Sequence, residues 1–130
     1  MGQEENIIFT GFITDVDKLM NITDIQANAS FGTEATSLSL LEGMSLGIPA
    51  VVSDFGGNPG VIKPGVNGFI VPKQDSRMLA EGIGRLLKDP GLYKKLSEGS
   101  RKVFAETFTA QAMTRNTEDV YMKVIGGKAL

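Results

Sequence analysis

Four short apolar runs, separated by glycine- and proline-rich turns and by stretches of helical spacing, constrain this chain more than any other feature. Asn6–Thr10 (NIIFT), ended by Gly11, is too short for a helix and β-branched enough for a buried strand. Asp24–Ser30 alternates Ile25, Ala27 and Ala29 with polar neighbours, as a strand with one better-buried face would. Ala50–Ser53 (AVVS) and Phe69–Val71, closed by Pro72, complete the set. Between the first two runs, Ile13–Asn21 has helical spacing with Asp15 as the expected N-cap. Between the second and third, Ser37 can cap a helix whose Leu38, Leu40, Leu41 and Met44 form an apolar stripe, stopped by Gly47 and Pro49. Val61–Lys63 has room for one helical turn. Strands that alternate with helices require right-handed crossovers, so the expected class is α/β: a Rossmann-like, mainly parallel sheet of about four strands with helices on both faces.

From Asp75 onward the pattern is helical alone. Leu79, Ala80, Ile83, Leu86 and Leu87 share one face of a segment ended by Asp89 and Pro90, with Gly82 and Gly84 weakening it. A second helix uses Leu92, Leu96 and Val103, Phe104–Thr109 reads as a bend, and a third helix opening near Thr109 uses Met113, Thr117, Val120 and Tyr121. No repeat or linker divides the 130 residues, so one domain with a helical C-terminal tail is expected.

Composition narrows the chemistry. The chain has no Cys and no His, which removes thiolate catalysis, disulfides, the commonest metal ligand and the usual general base. A net charge of -2 without a basic cluster argues against nucleic acid as a partner. No apolar run reaches membrane-spanning length and the opening residues lack the order of a signal peptide, so no membrane span and a cytoplasmic location are expected. The sequons at Asn21 and Asn28 are then chance matches.

In a sheet of this kind ligands bind beyond the carboxyl ends of the strands, here Gly11–Asp17, Ser30–Ser37 and Asp54–Gly60. Glu34 precedes a helix and Glu42 lies within it, so both carboxylates can face one crevice. A carboxylate accepts two hydroxyl hydrogen bonds at once, which suits a vicinal diol, while free amides of Leu38–Leu40 suit a phosphate. On spacing alone, two solvated carboxylates remain the more economical account. Gly56, Gly57 and Gly60 do not follow the dinucleotide-binding spacing and read as a plain turn. Asp54 reads as a cap for the turn that follows it, and Met20, Met44, Met78 and Met113 as fillers of core gaps.

The stretch SFGTEATSLSLLEGMSLGIPAVVSD (30–54) closely resembles the core of the retaining family 4 glycosyltransferases, with their glutamate pair, flanked Met and Gly-x-Pro strand. NIIFTGFI, DIQANAS, GGNPGVI and GVNGFIVPKQD resemble further segments of that family in the same order, so the likeness runs from Asn6 to about Ile125. It implies part of the C-terminal, donor-binding domain of a GT-B enzyme, which binds a nucleotide-diphosphate sugar and uses no metal or other cofactor. Carried over, Glu34 holds hydroxyls of the transferred sugar and is the candidate catalytic residue, and Glu42 holds the ribose diol. Backbone amides around Ser37 and Leu38 meet the sugar or diphosphate, and Ile13 and Lys18 lie beside the nucleobase. The sequence departs from the family at Ala35, Thr36 and Ser37, where bulk narrows the sugar pocket, and at Gly60, where the family usually has glutamate.

The family's diphosphate-binding Arg and Lys, and its acceptor-binding N-terminal domain, correspond to nothing in this sequence. The resemblance therefore implies an inactive fragment of an enzyme that passes a hexose, with retention, to a glycan or lipid-linked acceptor. It also implies a strand at Asn6 that has lost its neighbours, hence a rearranged monomer or a homodimer through exposed strand edges. A nucleotide-sugar epimerase of the same architecture and a non-catalytic binding module are the alternatives.

Overall fold

The computed structural model describes residues 2–33 and 35–126. Among these the sheet has three parallel strands in the order β1 (Gln26–Asn28), β2 (Ala50–Ser53) and β3 (Gly68–Val71). Six α-helices accompany it: α1 (Val16–Asn21), α2 (Leu38–Leu46), α3 (Asn58–Val61), α4 (Ser76–Lys88), α5 (Pro90–Val103) and α6 (Ala110–Ile125). The α/β class and the helical tail are as expected, with one strand fewer.

The missing strand is Asn6–Thr10. Glu4–Asn6 forms a single 3-10 turn, and the residues after it are exposed and unpaired, Phe9 by 94%. An isolated apolar run gains nothing from extension unless a neighbouring strand takes its backbone groups, and none of the described strands does so. The helix expected from Ile13 begins only at Val16, and Asp15 precedes it without capping it: its carboxylate pairs with Lys18 Nζ at 2.6 Å instead.

Alternation along the strands sorts the core into two layers. Ala50 and Val52 face α2 and the end of α5, packing with Leu40, Met44, Val61, Ile62 and Val103. Val51 and Val71 face α4 and α5, packing with Leu86 and Leu96. The register Gln26↔Ala50↔Gly68 extends this alternation into β1 and reverses the face expected for it. Gln26 is buried and Ala27 exposed, because Gly43 of α2 lies against the Gln26 side chain, leaving no space for a methyl group between them.

Helix ends follow local chemistry. Asp75, Asp89 and Thr109 accept hydrogen bonds from Met78, Leu92 and Ala112 amides and so cap α4, α5 and α6. Gly47, with φ of +79°, closes α2, and Arg101 donates to the Leu46 carbonyl at 2.7 Å. Gly82 brings α4 down onto Val51, whereas Gly84 faces open space. The expected bend at Phe104–Thr109 is a π-helical stretch over Phe104–Phe108 followed by extended Thr109, where the helical path breaks before α6 begins. Only Met44 of the four expected gap-filling methionines is fully buried; Met20 is half-buried, and Met78 and Met113 are exposed.

Helix α5 closes the amino end of the sheet. Ser100 Oγ lies 3.4 Å from the Ile48 carbonyl and 3.2 Å from that of Asn67, and Gly99 sits against the Val66 carbonyl. Buried Asn67 completes this end, accepting from the Lys63 amide at 2.6 Å and donating to the Val61 carbonyl at 3.1 Å. The carboxyl end is left to loops.

Candidate functional site

Because all three strands are parallel, the loops after β1, β2 and β3 leave from the same edge. Side chains lace them together. Ser53 Oγ, at the end of β2, donates to the Ser30 carbonyl at 2.6 Å, and Asp54 Oδ1 accepts from the Lys73 amide at 2.7 Å. Asp54 is thus a staple between the second and third loops rather than a cap for its own turn. The glycine turn at 56–57 does more than reverse the chain: a methyl group on Gly57 would collide with the Ala35 carbonyl, so the second loop supports the first.

The first loop leads into α2. Ser37 is its N-cap residue and is buried, yet its hydroxyl pairs with Ser39 Oγ at 3.0 Å instead of capping an amide. The Leu40 amide, expected to be free, donates to the Ser37 carbonyl at 3.1 Å. The amides of Leu38 and Ser39 have no acceptor among the described residues. They form the partial positive end of a nine-residue helix, a setting that favours an anion. Leu38 leaves them accessible by turning its side chain to solvent.

Glu42 lies four residues along, about 6 Å further up the axis. It is exposed, makes no ion pair among the described residues, and lines a groove of about 300 Å³ with Val16, Asp17, Met20, Asn21 and Ser45. Two carboxylates, Glu42 and Asp17, therefore share the groove between α1 and α2. Such a lining suits hydroxyl donors and disfavours phosphate. Asp17 was indistinguishable from any helix-surface acid in the sequence; only the packing of α1 on α2 brings it to Glu42. Ile13 is half-buried just before α1, and Lys18, on α1, is engaged by Asp15; neither lines the groove. Glu34 lies outside the described residues.

A second cavity, of about 240 Å³, opens on the other face of the same sheet edge, between Ala29, Phe31, Ser53, Val71 and the start of α4. Its walls are largely apolar. At Gly60 a side chain would meet open space, so the residue missing there is not excluded by crowding.

The family model for Glycosyl transferases group 1 matches residues 1–103. N-acetyl-alpha-D-glucosaminyl L-malate synthase of Bacillus anthracis is 30% identical over 122 residues, covering 94% of this chain and 32% of that protein. Among solved structures, a glycosyltransferase from Rickettsia africae superimposes with a TM-score of 0.83 at 26% identity, over 95% of this chain and 33% of the other. The Anabaena protein HepE, solved in complex with UDP, gives a TM-score of 0.85 at 24% identity, over 94% of this chain and 34% of its own, a likeness of fold. The chain spans about a third of the length of the curated relatives it matches.

Proposed function

The chain belongs to the group 1 glycosyl transferases, and from that premise we propose that it is the donor-binding portion of a retaining, family 4 hexosyltransferase. Its ligand is a nucleotide-diphosphate sugar. Glu42 accepts the ribose hydroxyls in the α1–α2 groove, the Leu38 and Ser39 amides receive the diphosphate, and Glu34 holds the transferred hexose. Ser37 shapes the turn between the last two, and Ile13 and Lys18 border the base. The observation that carries this reading is the pairing of Glu42, which makes no ion pair among the described residues, with two helix-start amides one turn away that have no acceptor among those residues, at the open edge of a parallel sheet. A ligand carrying both a diol and an anion, spaced as in a nucleoside diphosphate, meets both requirements.

The reaction is read as metal-independent, as the resemblance implies, with the nucleotide sugar as substrate and no other cofactor, on the cytoplasmic side, toward a glycan or lipid-linked acceptor. We read these 130 residues as one domain that binds donor without turning it over. Cleavage of the sugar–phosphate bond develops negative charge on the departing diphosphate, and two amide dipoles stabilise it less than the cationic side chains of the full family site would. The acceptor would bind to a further domain of a relative-length protein.

Calorimetric titration with UDP-, GDP- and ADP-sugars tests the reading. Millimolar or tighter binding of one of them is expected, weakened about 10- to 100-fold in Glu42→Ala, the range for hydrogen bonds to a charged group. Absence of heat with every donor would overturn it in favour of a non-catalytic module.

A further inference from the structure

The side chain of Asn58 lies under the mouth of the sheet and is fully buried. It sits in the Gly-Gly-Asn-Pro turn, where nothing in the sequence marks it for more than turn formation. Its Nδ2 lies 3.2 Å from the Ser53 carbonyl, 3.2 Å from Ser53 Oγ and 3.5 Å from Asn28 Oδ1. Ser53 spends its own proton on the Ser30 carbonyl, and Asn28 Oδ1 also accepts from the Ser30 amide at 3.0 Å. One amide group therefore ties the end of β2 to the end of β1 and, through Ser53, to the first residues of the loop leading to α2. The neighbouring Gly57 seats the far part of that loop at Ala35. Asn58 Oδ1, by contrast, is buried with no hydrogen-bond donor among the described residues. A buried polar side chain satisfied only at its N–H end is there to donate, which neither aspartate nor leucine of similar size can do.

We propose that Asn58 is a positioning residue for sugar recognition: it touches no ligand, and it sets the height of the loop at Ser30 and, with Gly57, at Ala35, relative to the start of α2. This rests on the donor-binding reading above, in which that loop carries the sugar contact while the nucleoside lies in the α1–α2 groove. Losing the Asn58 donors loosens the loop without disturbing the groove. Recognition of the sugar then falls while recognition of the nucleoside persists.

The test compares two ligands on the intact chain: the nucleotide-glucose that binds the native protein best, and its nucleoside monophosphate. In Asn58→Leu and Asn58→Asp, affinity for the nucleotide sugar should fall about tenfold, with the monophosphate affinity changed by less than about twofold. Ser53→Ala, which removes the relay hydroxyl and leaves a small residue in place, should show the same split in milder form and keeps the test open if the Asn58 variants fail to fold. Equal losses for both ligands, or no loss for either, in a folded variant would overturn the proposal while leaving the donor-binding reading intact. Failure of the native chain to bind either ligand would instead defeat that reading, and the positioning role with it.

Discussion

Gly43 shows how a single missing side chain fixes the placement of its neighbour, the proposed ribose-binding Glu42. It is adjacent to Glu42, and its bare backbone rests against the Gln26 side chain, which donates to the Ser39 carbonyl at 2.7 Å. Gln26 Oε1 is buried without a donor, so this contact already carries an unsatisfied acceptor. A methyl group at position 43 would force α2 away from β1 or expel the glutamine. Gly43→Ala should therefore destabilise by about 1–3 kcal/mol despite the higher helix propensity of alanine. Chemical denaturation checks this, and a variant at least as stable as the native chain would show that Gln26 moves aside freely. At this scale the sequence was partly legible. The position of Glu42 on α2 could be read from the spacing of the apolar stripe and its Gly-Pro stop, since both are local, whereas the cap expected of Ser37 does not form. The surroundings of Asp17, Asn58 and Asp54 could not, because each meets a loop or helix distant in sequence.

Among the elements, α4 gives the clearest contrast between propensity and packing. Two glycines two positions apart weaken any isolated helix, yet they occupy different surroundings. A Cβ on Gly82 would lie 2.7 Å from Val51 Cγ1, whereas one on Gly84 would meet nothing within 4 Å. Gly84→Ala should stabilise by about 0.5–1 kcal/mol, and Gly82→Ala should destabilise by about 1–3 kcal/mol, both measurable as shifts in thermal midpoint. The strands divide in the same way between local and distant causes. AVVS and the run ending in Val71 were legible because strands buried on both faces are continuously apolar. NIIFT carries the same signal and forms no strand, since pairing depends on a neighbour and the run itself cannot supply one. In β1 the alternation was read with its faces exchanged: alanine is small enough for either side, and the glycine that admits Gln26 lies 17 residues away.

For the molecule as a whole, the position of β1 at one side of the three-stranded sheet and the exposed Ile8, Phe9 and Phe12 carry the same consequence. An edge strand in a fold that also carries large exposed apolar side chains favours association. Light scattering should show a mass that rises with concentration, and Phe9→Lys with Phe12→Lys should return it toward that of one chain; a concentration-independent single-chain mass would remove the dimer reading. Among the described residues no helix is long and apolar enough to cross a membrane.

The stopper that α5 makes at one end of the sheet divides labour within the fold. Rigidity is concentrated where Ser100 and Asn67 lock the strand entrances, so the opposite rim can exchange residues, as at Ala35 to Ser37 and Gly60, without disturbing either hydrophobic layer. On the donor-binding reading proposed above, such a scaffold can drift from one saccharide to another while its folding remains unchanged.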